Sequence, residues 1–276
     1  MKSPIPPFRL NSGLEMPSLG LGMYGSPAGR VAENAVRYAL DTGYRLFDTA
    51  KFYGNEHSVG KAIRESSLPR SDVFVTTKLW NTDHGYESTL RAFRASLQQL
   101  GLDYVDLYLI HWPVEGLRLE SWRAMETLLD DDQCKAIGVS NYMVRHLEEL
   151  LAHASMVPAV NQIELHPYNY LARLDTVEFC RAKGIQVEAY SPLTKGRKLR
   201  DARLLRIAEA YGKTPAQILL RWSHQHGFVA IPKSSRRERI RENGAIFDFS
   251  LSPEHMKELN SFSENLVTSW DPTDAP

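Results

Sequence analysis

Residues 43–50 of this chain read GYRLFDTA, and the unit around them decides the fold. Before Gly43, apolar residues recur at the three- and four-residue spacing of a helix with one buried face. Glycine is a common stop signal after such a pattern. The short run Tyr44–Ala50 that follows is rich in apolar residues and carries Asp48 near its end. The sequence therefore predicts a unit that consists of a helix, a glycine that ends it, a short apolar strand and a polar residue near the end of that strand.

Runs of the same kind recur along the chain. Most are apolar and β-branched without alternation, as parallel strands covered by helices are. Eight candidate strands result: Leu19–Tyr24, Tyr44–Ala50, Val73–Trp80, Tyr104–Pro113, Cys134–Ser140, Ala159–Leu165, Ile185–Leu193 and Phe228–Ser234. Helical patterns lie between them. One ends at Gly101, and another begins after Thr214, a helix N-cap followed by Pro215 at the first helical position.

Eight strand–helix units with short connections predict an α/β fold, a closed (β/α)8 TIM barrel that residues 1–276 form as a single domain. The segment Phe8–Met16, with Asn-Ser-Gly at its centre, predicts a short N-terminal β-hairpin below the barrel. An open, doubly wound sheet is the alternative architecture. Its glycine motif opens a helix directly after the first strand, and residues 20–25 lack that helix opening.

The composition limits the function classes. The chain has 276 residues, of which 43% are hydrophobic, and its formal net charge is zero. A zero net charge argues against a general nucleic-acid or anionic-membrane binder. Two cysteines, Cys134 and Cys180, do not make a disulfide framework in a chain this long. Residues 1–10 contain no apolar core and no stretch approaches ~18 apolar residues, so we expect no signal peptide, no membrane span and a cytoplasmic protein.

Polar or aromatic side chains end nearly every predicted strand. They are Asp48 with Tyr53 just beyond it, Lys78, His111-Trp112, Ser140-Asn141, Asn161, Gln162 and Glu164, Tyr190-Ser191, and Lys233-Ser234. In a barrel of this type the carboxyl ends of the strands meet at one rim, where active sites lie. Because buried polar groups need partners, this convergence predicts a hydrogen-bonded site or a binding site.

Asp48, Tyr53, Lys78 and His111 form a set suited to proton donation. A lysine ammonium ~4 Å from a phenol favours the phenolate by roughly 4 kcal/mol at an effective dielectric constant of 20. We therefore expect Lys78 to lower the pKa of Tyr53 by up to ~3 units, which would make it a general acid poised nearer neutrality. Asp48 would hold the ammonium, and His111 would direct a carbonyl to the phenol. The set contains no nucleophile and no metal site, so a separate hydride source is implied.

At this point the sequence resembles the aldo-keto reductases over nearly its full length. The resemblance is carried by GYRLFDTAKFYGNE (43–56), TTKLW (76–80), HWP (111–113), GVSN (138–141), PAVNQIELHP (158–167), AYSPL (189–193) and IPKSS (231–235). It implies a barrel that reduces aldehydes and ketones to alcohols with NADPH, most similar in its short loops to the diketogluconate reductase branch. The chain departs from the pattern at Leu46, where many members carry histidine, and we expect only a packing effect there.

By matching position, the resemblance assigns catalysis to Asp48, Tyr53, Lys78 and His111, with Tyr53 as the acid. The cofactor-binding positions that it implies are Gly22, Met23, Ser140, Asn141, Gln162, Tyr190, Ser191, Leu193, Lys233, Ser234, Arg239, Glu242 and Asn243. Within this set, Ser140, Asn141 and Gln162 would hold the nicotinamide carboxamide, and Tyr190 would stack on the nicotinamide ring.

A cluster of cations bears on the choice of cofactor. Residues 233–239, KSSRRER, place four cations in seven residues of an otherwise neutral chain. A solvated helix start accounts for Arg236 and Arg237. For Lys233 and Arg239 the resemblance favours contact with the adenosine 2′-phosphate, which a guanidinium can bind in a bidentate manner. We therefore expect NADPH rather than NADH.

The expected substrate-binding positions are mostly aromatic: Tyr24, Phe52, Trp80, His111 and Trp112. The loop 114–119 and the tail beyond Phe262 are short, which favours an open pocket for small-molecule carbonyls such as aldehydes, dicarbonyls and keto-sugar acids. Lys51 near the rim is either a solvated side chain or the source of a preference for acidic substrates.

Two other functions stay open. A metal-dependent barrel hydrolase would draw its ligands from His111, Glu164, His166, His224 and His226, but the first predicted strand ends in Met23-Tyr24 instead of a His-x-His pair. We therefore expect no metal. The other alternative is a non-catalytic NADPH-binding sensor or partner-binding subunit on the same fold, because a fold does not fix a function. The resemblance also implies a monomer.

Overall fold

The computed structural model describes residues 5–276 of the chain. The expectation of no signal peptide concerns residues 1–10, of which 1–4 lie outside the described residues. The described part opens with a two-stranded antiparallel hairpin, β1 (Pro7–Arg9) and β2 (Glu15–Pro17), in which Phe8 pairs with Met16. This is the short N-terminal hairpin predicted from the sequence.

Eight parallel strands follow in sequence order around one sheet. They are β3 (Leu21–Gly22), β4 (Leu46–Asp48), β5 (Phe74–Leu79), β6 (Leu107–Ile110), β7 (Ile137–Ser140), β8 (Val160–Glu164), β9 (Gln186–Tyr190) and β10 (Val229–Ala230). Each lies inside one of the eight predicted runs. The sheet closes where the amide of Gly20 donates to the carbonyl of Ala230 at 2.9 Å and the amide of Ala230 donates to Ser18 at 3.1 Å. The predicted (β/α)8 barrel is confirmed, and the open sheet is excluded.

Ten α-helices accompany the strands over residues 5–276. They are α1 (Arg30–Asp41), α2 (Glu56–Arg64), α3 (Tyr86–Leu100), α4 (Arg118–Asp130), α5 (Val144–His153), α6 (Leu174–Ala182), α7 (Ala202–Tyr211), α8 (Pro215–Gln225), α9 (Arg237–Gly244) and α10 (Pro253–Asn260). Gly101 ends α3 in the left-handed conformation, at φ 63°, which glycine adopts without steric cost. At α8, Thr214 accepts from the amide of Gln217, whose side chain accepts in return from the amide of Thr214.

The barrel interior is closed from below by apolar side chains. Met16 of the hairpin belongs to the same buried cluster as Leu46, Phe74 and Leu107, which come from three neighbouring strands. Leu46 packs against Gly20, where an added Cβ would come within 2.4 Å of the Leu46 Cγ. The position at which the chain departs from the family pattern thus lies in the core, away from the carboxyl ends of the strands.

Candidate active site

A cavity of about 1000 Å³ lies at the carboxyl ends of the barrel strands. Of the residues proposed from the sequence, most line it: Gly22, Tyr24, Asp48, Phe52, Tyr53, Trp80, His111, Trp112, Ser140, Asn141, Gln162, Tyr190, Ser191, Leu193, Lys233, Ser234, Arg239, Glu242 and Asn243. Two do not. Lys78 lies fully buried behind the cavity wall. Met23 is also buried, and its backbone amide donates to the backbone carbonyl of Asp48 at 2.9 Å.

The centre of the site is a buried ion pair beneath a phenol. The Lys78 Nζ lies 2.6 Å from both carboxylate oxygens of Asp48 and also donates to the Thr49 carbonyl at 2.9 Å. Its distance to the Tyr53 hydroxyl is 3.4 Å. Tyr53 occupies this place because a short 3-10 turn, Lys51–Tyr53, follows β4 directly. The ammonium is therefore held by the carboxylate and lies beside the phenol.

The pKa of Tyr53 differs from the sequence-based expectation. Burial raises this pKa well above its ordinary value, and the negative charge of Asp48 raises it further. The expectation that Lys78 would bring the phenol nearer to neutrality is therefore wrong. Asp48 lies 2.6 Å from the Lys78 ammonium, and its negative charge opposes the effect of that ammonium on the phenol. Tyr53 stays protonated throughout the physiological pH range.

His111 faces the same phenol across the cavity. Its ring meets the Tyr53 ring edge-on, with centroids 5.6 Å apart, and its backbone carbonyl accepts from the Asn141 side chain at 2.9 Å. Burial lowers the pKa of His111 well below its ordinary value, and the charge of Lys78 acts in the same direction. The imidazole is therefore neutral near pH 7, and Nδ1 has no hydrogen-bond partner among residues 5–276.

The amide-bearing residues proposed for the cofactor converge at the ends of neighbouring strands. Ser140 Oγ donates to the backbone carbonyl of Gln162 at 2.8 Å, and the Tyr190 hydroxyl donates to Asn141 Oδ1 at 2.9 Å. Asn141 itself has φ 64°, a left-handed backbone conformation that is uncommon for a residue other than glycine. The side-chain amide of Gln162 donates to Asp48 at 2.8 Å and to Glu188 at 2.8 Å.

At the far end of the cavity lie two cations without acidic partners. Lys233 and Arg239 are exposed, line the cavity and form no ion pair with any of the described residues. Glu242, by contrast, accepts a hydrogen bond from Thr214 Oγ1 at 2.8 Å. Gly22 completes this wall: a Cβ there would come within 2.6 Å of the Ile231 carbonyl oxygen, so only glycine fits. Lys233 and Arg239 are free to bind an anion.

Aromatic rings form the remaining wall. Phe52 stacks on Trp80 with centroids 3.8 Å apart, and Trp112 stands nearby. The sequence analysis missed a further member, Trp270, whose centroid lies 6.3 Å from both Phe52 and Trp80 and 5.7 Å from Trp112. The signal available was the single tryptophan in the tail beyond Phe262. The expectation of an open pocket took no account of this ring.

Hydrogen bonds to the barrel place Trp270 at the cavity. Glu164, buried at the end of β8, accepts from the Thr268 amide at 2.8 Å and from its hydroxyl at 2.5 Å. Lys195, whose own backbone is left-handed at φ 51°, donates to the Thr268 carbonyl at 2.7 Å. Arg173 holds Asp271 at 2.7 Å on the other side of the tryptophan. These bonds hold the segment 268–271 against the barrel, with Trp270 at the cavity.

Two further groups singled out in the sequence have ordinary partners. Lys51 donates to Asp83 at 2.6 Å, so its charge at the rim is paired. Glu164 at the end of β8 and His166 just beyond it, both proposed as alternative metal ligands, bond one another, His166 Nε2 with Glu164 Oε1 at 3.2 Å. Within residues 5–276, no group of three or more His, Cys, Asp or Glu side chains could hold a metal ion. No helix in this part of the chain has both the length and the apolar character to cross a membrane.

Comparison with known proteins places these features in a family. The sequence model of the aldo/keto reductase family matches residues 18–264. The chain is 48% identical to the glyoxal reductase of Bacillus subtilis over 257 residues, which cover 93% of this chain and 92% of that protein. It is 46% identical to the morphine 6-dehydrogenase of Pseudomonas putida over 288 residues, covering 99% of this chain and 96% of that enzyme.

Solved structures agree with the sequence matches. An aldo/keto reductase from Brucella melitensis superposes with a TM-score of 0.90 at 46% identity, covering 94% of this chain and all of that one. An aldo-keto reductase solved in complex with NADPH superposes with a TM-score of 0.91 at 37% identity, covering 98% and 91%.

Proposed function

Because the chain belongs to the aldo/keto reductase family, we propose that it reduces small aldehydes, ketones and dicarbonyls to alcohols, with hydride from NADPH and a proton from Tyr53. The observation that carries this proposal is the position of the Tyr53 hydroxyl. It lines the cavity, 3.4 Å from the Lys78 ammonium and beside the neutral ring of His111. A carbonyl oxygen at this point would meet a proton donor and a neighbouring positive charge.

The residues around the cavity fit a phosphorylated dinucleotide. Lys233 and Arg239 offer unpaired positive charge at one end, as a 2′-phosphate requires. At the other end, Ser140, Asn141 and Gln162 offer oxygen acceptors suited to the amide protons of a carboxamide. The similar structure solved with NADPH supports the same assignment. When bound, NADPH supplies the hydride that is added to the carbonyl carbon.

Tyr53 supplies the proton that completes the reduction. Its raised pKa keeps the phenol protonated near pH 7, so the donating form is always populated. The O–H bond of Tyr53 breaks as the new O–H bond of the alcohol forms, and the proton lost by the phenol is replaced from solvent. The phenolate that remains lies 3.4 Å from the Lys78 ammonium, whose charge stabilises it.

His111 orients the substrate instead of moving a proton. A neutral imidazole can donate one N–H to a carbonyl oxygen without carrying charge into the cavity. Asn141 holds the His111 backbone through the bond to its carbonyl, and the Tyr53 ring limits rotation of the imidazole on one side. The carbonyl is thus held by His111 in the position where the Tyr53 hydroxyl reaches its oxygen.

The walls of the pocket bear on the substrate class. Phe52, Trp80, Trp112 and Trp270 present apolar ring faces, and Lys51 near the rim is paired with Asp83. Planar or apolar carbonyls such as aromatic aldehydes and aryl dicarbonyls fit these walls best. The similarity to a glyoxal reductase supports dicarbonyls as a class. Keto-sugar acids gain little from contact with these ring faces, so we rank them last.

The test follows NADPH absorbance with methylglyoxal, phenylglyoxal, an aromatic aldehyde and a keto-sugar acid. We expect the wild type to oxidise NADPH and Tyr53→Phe to lose about 100-fold or more in kcat, the usual effect of removing a general acid. Tyr86→Phe is the matched control, since Tyr86 is an exposed residue of α3. A wild type that binds NADPH but reduces none of the four contradicts the proposed activity. Equal activity in Tyr53→Phe contradicts the assigned acid.

A further inference from the structure

A second buried acid lies behind the cavity, next to the Asp48–Lys78 pair. Glu188 points inward from β9 and is fully buried. Strand pairing sets it beside Gln162 of β8, whose Nε2 donates to Glu188 Oε2 at 2.8 Å. The same nitrogen donates to Asp48 Oδ2 at 2.8 Å. Gln162 therefore bridges two carboxyl groups, of which only Asp48 lines the cavity.

This bridge fixes which way the Gln162 amide faces. A side-chain amide has two N–H donors and one carbonyl oxygen. Both donors are taken, one by Asp48 and one by Glu188, so the carbonyl oxygen is the group left for a ligand. Gln162 lines the cavity, and rotation of its amide by half a turn would set its oxygen against the Asp48 carboxylate. With Asp48 alone as acceptor, the second N–H would be free to turn toward the cavity.

We propose that Glu188 is a positioning residue: with Asp48 it holds the Gln162 amide so that its carbonyl oxygen accepts from the nicotinamide carboxamide. The inference rests on the proposed function, because it concerns NADPH. Glu188 touches neither cofactor nor substrate, and acts only through Gln162. Its effect should therefore be confined to ligands that carry the nicotinamide.

The environment of Glu188 indicates the protonation state in which it acts. Burial raises its pKa to about 8, and the charge of Asp48 acts in the same direction, while the Gln162 hydrogen bond and Lys78 lower it. Its second oxygen, Oε1, has no hydrogen-bond partner among residues 5–276. An uncharged carboxyl still accepts from Gln162 through its carbonyl oxygen and adds no charge beside the Asp48–Lys78 pair. Glutamine at this position would reproduce that neutral acceptor, whereas leucine would remove it.

The experiment compares two ligands by titration calorimetry: NADPH, and 2′-phospho-ADP-ribose, which has the adenine end but no nicotinamide. We expect Glu188→Leu to weaken NADPH binding about tenfold, the effect of losing one hydrogen bond that orders a binding group. Binding of 2′-phospho-ADP-ribose should not change. Glu188→Gln should restore the NADPH affinity. Glu56→Leu is the matched control, since Glu56 is a buried glutamate bonded to Thr77 at 2.6 Å outside the cavity.

Three results would overturn the inference: unchanged NADPH affinity in Glu188→Leu, an equal loss for both ligands, or failure of Glu188→Gln to restore affinity. Glu188→Met, with an unbranched side chain of similar length, takes the place of Glu188→Leu should the latter not fold. A wild type that binds neither ligand contradicts the proposed function itself. Wild-type NADPH binding with no effect of the Glu188 substitutions contradicts the positioning role alone.

Discussion

The ammonium of Lys78 lies 2.6 Å from both carboxylate oxygens of Asp48, and neither residue is more than 2% exposed. Removing one partner of a buried pair is costly, because the other charge is left without compensation in apolar surroundings. The pair therefore has two effects at once. It anchors β4 to β5, and it provides a fixed positive charge beside the Tyr53 hydroxyl.

Lys78→Met should damage both stability and activity. The substitution leaves the Asp48 carboxylate buried with Gln162 as its remaining side-chain donor, so we expect a loss of about 3–5 kcal/mol in the free energy of unfolding. The kcat should fall because the Tyr53 phenolate loses its counter-charge. Urea unfolding and steady-state kinetics measure the two effects. Lys51→Met, at the exposed pair with Asp83, is the control and should change stability by less than about 1 kcal/mol. Equal losses in both variants would contradict the argument.

Trp270→Ala should change substrate preference with little effect on stability. The side chain is largely exposed, so the fold does not depend on it, yet its ring faces Phe52, Trp80 and Trp112. We expect the KM for phenylglyoxal to rise about tenfold, as the contact of one aromatic pair predicts, while the KM for methylglyoxal changes little. Trp270→Phe should keep most of the preference. A parallel rise in both KM values in Trp270→Ala would count against a wall that selects aromatic substrates.

The fold could be predicted because each parallel strand has a recognisable local sequence pattern. A strand covered on both faces is rich in apolar residues, and a polar residue stands where it reaches the rim, as Asp48 does at the end of β4. The predicted runs were nevertheless longer than the strands. Tyr104–Pro113 contains β6 only at Leu107–Ile110, because apolar residues continue into the loops that pack on the barrel ends.

The parts that could not be predicted depend on contacts distant in sequence. The Glu164–Thr268 bond that positions Trp270 joins residues 104 positions apart, and no local pattern encodes it. Glu188 is a similar case, because its burial follows from the register of β8 and β9. The shift in the pKa of Tyr53 is opposite to the expected one. The sequence indicates which charges lie near the phenol, but it does not indicate how deeply the phenol is buried, and burial has the larger effect on the pKa.

The choice between NADPH and NADH should depend on Lys233 and Arg239. Combining Lys233→Gly with Arg239→Ala removes both unpaired cations at the far end of the cavity. Hydrogen bonds to charged groups contribute about 1.5–3 kcal/mol each, so we expect the KM for NADPH to rise at least about tenfold while the KM for NADH changes little. Arg236→Ala is the control, because Arg236 belongs to the same basic segment but does not line the cavity. Equal changes for the two cofactors would refute recognition of a 2′-phosphate.

Glu188 should make the stability of the protein fall as the pH rises. Its pKa of about 8 in the folded protein exceeds the ordinary value of 4.5, so the folded state holds its proton more tightly than the unfolded state does. The contribution of Glu188 to the free energy of unfolding is then fully present below pH 4.5 and is lost as the pH rises to about 8, by up to about 1.4 kcal/mol per pH unit.

Other groups titrate in the same range, so the quantity to measure is the difference in free energy of unfolding between wild type and Glu188→Gln. Urea unfolding at several pH values between about 5 and about 8 gives that difference. With each increase in pH the wild type should lose stability relative to Glu188→Gln, because glutamine has no proton to lose. A difference that stays constant with pH would mean that Glu188 is ionised in the folded protein throughout.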